Sequence, residues 1–176
     1  ALGPAIKAAV AAGVPVITMN SGLENSAALG ALMHVGQPEY LAGQKAGARA
    51  TAEGATKGLC MIQEAYNTAL VDRCEGYGEA VPMEYVDTTS DPATIVTRAT
   101  AALQANTDID AILSVGSHVC EGVAKAMDDL GMSGIHHSCF DLSPGVMDLI
   151  AADKVSFTID QPVSYTHLRA HETSLH

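Results

Sequence analysis

VPVITMNSG, residues 14–22, is an apolar, β-branched run that ends abruptly in an amide, a hydroxyl and a glycine. A parallel strand looks like this where it meets a ligand, and so does any strand where it meets a turn. The surroundings decide the fold. Residues 4–12 have helical spacing and stop at Gly13. Beyond residue 22, short apolar runs keep alternating with helical segments. The runs at 31–35, 58–63, 83–86, 111–115, 135–140 and 155–159 read as strands, and the polar stretch around Glu24, Asn25 and Ser26 reads as a loop. Residues 39–53, 68–81 and 119–130 carry helical periodicity. Two further helices open at Asp91–Pro92 and Ser143–Pro144, each a good N-cap followed by a good first helical residue. Strands alternating with helices in this way build βαβ units and a mostly parallel sheet, so the fold class is α/β.

Ligands of such sheets bind beyond the carboxyl ends of the strands. Here those ends are Asn20–Ser21–Gly22, Gly36–Gln37, residues 64–67, residues 87–90, Gly116–Ser117–His118, Asp141 and Asp160–Gln161. Amides, hydroxyls and carboxylates dominate, and Arg73 lies nearby. Asp accepts pairs of hydroxyls, Asn and Gln both donate and accept, and Arg offers a planar fork. A mixed set of this kind suits a polyhydroxylated neutral molecule.

Composition narrows the classes further. The 176 residues fill one domain or two small lobes, and hydrophobic residues reach 48% with only 4% aromatics, which suits close helix-on-sheet packing. A net charge of −11 argues against nucleic acid, whose backbone is bound by clustered Lys and Arg. It would also repel an anionic membrane surface. No apolar run reaches the roughly 18 residues of a membrane span. The first residues lack a basic leader, a small-residue cleavage site and an initiator Met, so Ala1 is read as an internal cut, with any targeting segment missing. Cys60, Cys74, Cys120 and Cys139 show no CxxC or zinc-ligand spacing, and their number allows three pairings. Disulfides would fit an oxidising compartment, while buried free thiols are the other reading. His136 and His137 are neighbours on a strand, face opposite ways and cannot share a metal.

The tail VSYTHLRAHETSLH, residues 163–176, has neither period, and its fourteen residues hold three histidines against four in the preceding 162. It resembles a translated transposase adapter and is read as non-native, outside the fold. His167, His171 and Glu172, which could pass for metal ligands on a helix face, fall with it. No metal and no cofactor are expected.

Four segments carry a resemblance: AAGVPVITMNSG, HVGQPEYLAGQKAG, NTALVDRCEGYGEA and FDLSPGVMDLIAADKVSFTIDQP. In this order and spacing they resemble the type I periplasmic sugar-binding proteins, the ribose- and galactose-binding receptors of ABC importers. The resemblance covers residues 1–162. It implies two Rossmann-like lobes joined by three crossing strands that close over one sugar. By it, residues 1–36 are the remnant of an incomplete amino-terminal lobe. Residues 37–161 form the carboxyl-terminal lobe, with crossings near 36–38 and 160–162.

The family's ligand contacts then fall on Asn20, Ser21, Arg73, Asp141 and Gln161. In ribose-binding relatives the pair at 20–21 is acidic then basic, which leaves the preferred sugar open. The Asn or Asp that follows the strand near Val115 is replaced by Gly116, where Ser117 or His118 would substitute. Ser90 stands where an aromatic is common. Each residue has a plainer reading: Asn20 in an Asx turn, Arg73 as a solvated helix residue, Asp141 helping to cap the Ser143 helix, Gln161 serving backbone groups at a crossing. Their convergence on successive strand ends favours the ligand reading.

The resemblance thus implies a non-enzymatic, monomeric, extracytoplasmic receptor for a sugar or polyol, read by a membrane permease and by a chemoreceptor. The alternative is the effector-binding core of a LacI-type transcriptional regulator, which shares the fold. An enzyme has little to stand on. There is no GxSxG elbow and no P-loop, and Gly76–Tyr77–Gly78 sits inside an expected helix, where it cannot cradle a pyrophosphate.

Overall fold

The structure is a computed structural model in which residues 2–161 are described. The tail from Val163, with His167, His171 and Glu172, lies outside the described residues. Two compact units divide the chain, one running to Pro38 and the other spanning Glu39–Gln161.

The smaller unit opens with α1 (Gly3–Ala11), which has Pro4 in its first turn, where no N–H is missed. Strands β1 (Ile17–Met19) and β2 (Met33–Val35) follow as a parallel pair in which Ile17 lies opposite Met33. Both are shorter than the apolar runs that announce them. Pro15 brings no N–H to a ladder, and β1 begins only at Ile17. Between the strands the expected loop is helical: α2 (Leu23–Ser26) passes into a 3-10 turn over Ala27–Leu29. Gly22 starts it from the left-handed region, at φ 88°, so no side-chain cap announces it in the sequence.

The larger unit alternates strictly: α3 (Glu39–Ala52), β3 (Gly58–Ile62), α4 (Thr68–Gly78), β4 (Met83–Asp87), α5 (Pro92–Ala105), β5 (Ala111–Ser114), α6 (Ser117–Leu130), β6 (His136–Phe140), α7 (Pro144–Ala151) and β7 (Phe157–Ile159). All strand pairs are parallel, in the order β4-β3-β5-β6-β7. The chain goes from β3 outward to β4 and then returns to the other side of β3 with β5. The strand order therefore reverses between β3 and β5.

Helix ends fall where capping chemistry puts them. Asp91 accepts from the Thr94 N–H at 2.8 Å, and Ser143 from the Val146 N–H at 3.0 Å. Gly131 closes α6 in the left-handed conformation.

Strand alternation sorts the core into two layers. Cys60 and Ile62 of β3, Leu113 of β5 and Phe140 of β6 pack under α3 and α4. Leu59, Met61 and Ile112 point the other way, against Ile95, Leu103, Val119 and Val123 of α5 and α6. Burying each such side chain stabilises by about 1.5–3 kcal/mol. Helices α3 and α4 touch closely because a Cβ on Gly43 would collide with the Arg73 carbonyl oxygen, and one on Gly76 with that of Tyr40. The cysteines are joined as Cys60–Cys74 and Cys120–Cys139, all four with no exposed surface. The first pair lies on the α3–α4 side of the sheet. The second ties α6 to β6 on the opposite side.

Candidate ligand-binding site

Backbone strain gathers where the parallel strands end. Only four non-glycine residues among those described have left-handed backbones: Asn20 (φ 71°), Thr89 (φ 59°), Asp141 (φ 69°) and Asp153 (φ 56°). Three of them follow the carboxyl ends of β1, β4 and β6. A side chain held in this region carries local strain, and such residues cluster at ligand sites. Asn20 and Asp141 are also residues picked from the sequence.

In the larger unit the centre of this face is Arg73, on α4. It is 3% exposed, so the plain reading of a solvated helix residue is wrong. Its Nε donates to Glu39 Oε2 at 2.8 Å, Nη2 to Glu39 Oε1 at 3.1 Å, and Nη1 to the Val115 carbonyl at 2.8 Å. The guanidinium also lies 4.5 Å from the Phe140 ring centre, a favourable cation–π position. Glu39 opens α3 and is 5% exposed. Burial pushes its carboxyl above the usual carboxylate range, against the pull of the Arg73 hydrogen bond and charge.

Asp141 completes the group. Its carboxylate is 38% exposed and lies 3.9 Å from Arg73 Nη1. Its backbone is held at both ends: its N–H donates to the Ile159 carbonyl at 2.8 Å, and its carbonyl accepts from Thr158 Oγ1 at 2.7 Å. The helix after it is capped by Ser143, so Asp141 is not spent as a cap. A half-exposed carboxylate with a buried cation behind it can accept hydrogen bonds from two hydroxyls on its solvent side.

The remaining candidates are placed as follows. Ser117 opens α6 and is half-buried, while His118 is exposed. Gln161 is half-buried just past β7. Asn20 and Ser21 lie in the smaller unit, both exposed. The Asn20 N–H donates to the Val35 carbonyl at 3.0 Å, but its side chain makes no Asx-turn hydrogen bond. The larger unit thus brings Arg73 and Asp141 together. It adds a residue that sequence reasoning passed over, Glu39, whose only sequence signal was an acidic side chain in a first helical turn.

Other polar clusters have different explanations. His136 and His137 do face opposite ways: His136 meets Glu53 at 2.7 Å, while His137 Nε2 lies 2.9 Å from Ser114 Oγ. Cys120, His137 and Cys139 have donor atoms within 4.8 Å of one another, but both sulfurs are used in a disulfide. A cleft of roughly 250 Å³ lined by Met127, Met132, Ile135 and Lys154 sits at the amino-terminal ends of β6 and β7, away from the strained strand ends. No helix among the described residues is long and apolar enough to cross a membrane.

Against known families, the model for the periplasmic binding protein domain matches residues 1–166. The chain belongs to the periplasmic binding protein family. This match favours the receptor over the regulator core. No curated protein sequence matches this periplasmic binding protein. Among solved structures it is similar to a carbohydrate transporter from Acidothermus cellulolyticus in complex with myo-inositol. That structure is 35% identical with a TM-score of 0.82, over 90% of this chain and 56% of the other. It is also similar to a XylFII molecule at 25% identity, TM-score 0.81, over 96% of this chain and 65% of that one. A solute-binding protein from Actinobacillus succinogenes with bound D-allose, 22% identical with a TM-score of 0.81, shares the fold over 99% of this chain and 66% of its own. This periplasmic binding protein therefore spans less than two thirds of the length of each of these structures.

Proposed function

We propose that this periplasmic binding protein is the solute-binding receptor of an ABC-type importer and captures a sugar or polyol. The observation that carries the reading is Asp141. Its left-handed backbone presents a half-exposed carboxylate at the carboxyl end of β6, with the buried Arg73 at 3.9 Å. The 35%-identical relative that holds myo-inositol supports the same ligand class.

In this reading Asp141 accepts a pair of ligand hydroxyls. Arg73, whose Nη1 also holds the Val115 carbonyl, sets the position of that carboxylate. Ser117 and Gln161 contribute from the neighbouring strand ends of the larger unit. Ligand binding stabilises whichever form of the receptor bonds the ligand with more of these groups, and a membrane permease reads that form. Family membership and two disulfides support an extracytoplasmic location.

The test is a thermal-shift panel on the full-length protein with myo-inositol, D-allose, D-fucose, pentoses and hexoses. A ligand at a hundred times its Kd stabilises by about 2.7 kcal/mol, which is easily measured. One clear hit that Asp141→Ala abolishes is expected. Absence of stabilisation by every polyol overturns the reading.

A further inference from the structure

In open parallel sheets the ligand crevice lies where the strand order reverses. Here that point is between β3 and β5, and the residues just past those two strands are Gln63 and Gly116. The Gln63 side chain occupies the space in front of Gly116: a Cβ at position 116 would lie 2.8 Å from Gln63 Nε2. Gly116 itself is buried, at φ −164°, an extended backbone that any residue adopts. Conformation does not call for glycine there, and a side chain at 116 would displace the Gln63 amide.

Gln63 is half-buried. Its Oε1 is buried and receives no hydrogen bond from the protein. On its other side the Thr88 N–H donates to the Ile62 carbonyl at 2.8 Å, which sets the end of β4 beside Gln63. The next residue there is Thr89, held left-handed at φ 59°, and its Oγ1 is likewise buried without a partner. Two adjacent strand ends, that of β3 at the crossover point and that of β4 beside it, thus carry buried oxygens with no partner in the protein. Such atoms destabilise a protein unless something bonds them.

We infer that the Gln63 amide, seated over Gly116 and flanked by Thr89, is a hydroxyl-recognising group of the ligand face and sets which polyol epimer is preferred. The inference rests on the receptor reading. An amide both donates and accepts, so it takes a hydroxyl in either role, and one whose buried oxygen is left unpaired rejects an epimer that points that hydroxyl elsewhere.

The test is calorimetric titration of the full-length protein and its variants with myo-inositol, D-allose and D-fucose. Gln63→Met keeps the length of the side chain and removes the amide. At least tenfold weaker binding of the best wild-type probe is expected, with a changed ratio of affinities among the three. The ligand-free melting temperature should be unchanged or raised, because an unsatisfied acceptor is gone. A merely structural glutamine would lower it. Gly116→Ala is the second route: it leaves the amide present but displaces it, and fivefold or greater weakening is expected, with no further loss when both changes are combined. Affinity within twofold of wild type in both variants overturns the inference while leaving the receptor reading intact. A wild-type protein that binds none of the probes overturns both.

Discussion

A guanidinium that is 3% exposed must have its charge answered inside the protein, and Arg73 has it answered by Glu39. Buried pairs of this kind contribute little net stability, but breaking one strands the other. Arg73→Met is expected to destabilise by about 3–5 kcal/mol, and Arg73→Met with Glu39→Leu to recover most of that loss in urea unfolding. If the pair positions Asp141, the recovered double variant still binds its polyol poorly. Full affinity in that variant would remove Arg73 from the binding machinery. His137 makes a second residue-scale prediction. Burial, aided by the neighbouring His136, pushes its imidazole down to about 3, so it stays neutral in the fold. The unfolded chain takes up a proton near pH 6.5 and the folded chain does not. The stability that this residue contributes is therefore complete above about pH 6.5 and is lost on acidification toward pH 3, by up to about 1.4 kcal/mol per pH unit. Urea midpoints from pH 7 to 4.5 should fall more steeply for wild type than for His137→Gln. Parallel slopes would refute it.

At the scale of elements, the helices most legible in the sequence were those with chemical punctuation. Asp91–Pro92 and Ser143–Pro144 mark the starts of α5 and α7, and Gly131 the end of α6, where the structure has them. Helix α2 escaped because its start is a left-handed glycine with no capping side chain, and four residues are too few for periodicity. Strand lengths were overestimated in the smaller unit because an apolar run continues past the residues that find a ladder partner. The cysteines could not be paired from spacing. Pairing follows only once β3 and α4, or α6 and β6, are packed. Cys60–Cys74 closes a separation of 14 residues and joins a strand to the helix that covers it. Replacing both by Ala is expected to cost about 3 kcal/mol in chemical unfolding, the loop-entropy value for such a separation. A change below about 1 kcal/mol would show that the packed elements hold their places without the bridge.

For the molecule as a whole, the alternation of strand and helix was enough to read an α/β fold and to direct attention to the strand ends. Asp141 was found that way. Glu39 was not, because its partner is 34 residues distant and nothing local ties the two together. Gln63 was hidden for a different reason: read as the last residue of an apolar strand, it was counted inside the sheet, although β3 ends one residue earlier, at Ile62. Boundaries set by hydrogen bonding are the part of a fold that composition carries least. The two disulfides show what the global arrangement adds. Each joins a strand to a helix near it in sequence, and the sheet stands between the two pairs. Once β3, β5 and β6 are laid side by side, a thiol of one pair cannot meet a thiol of the other without crossing a layer of backbone. Oxidation of the assembled chain therefore has one outcome, and mispaired isomers belong to the period before the sheet closes.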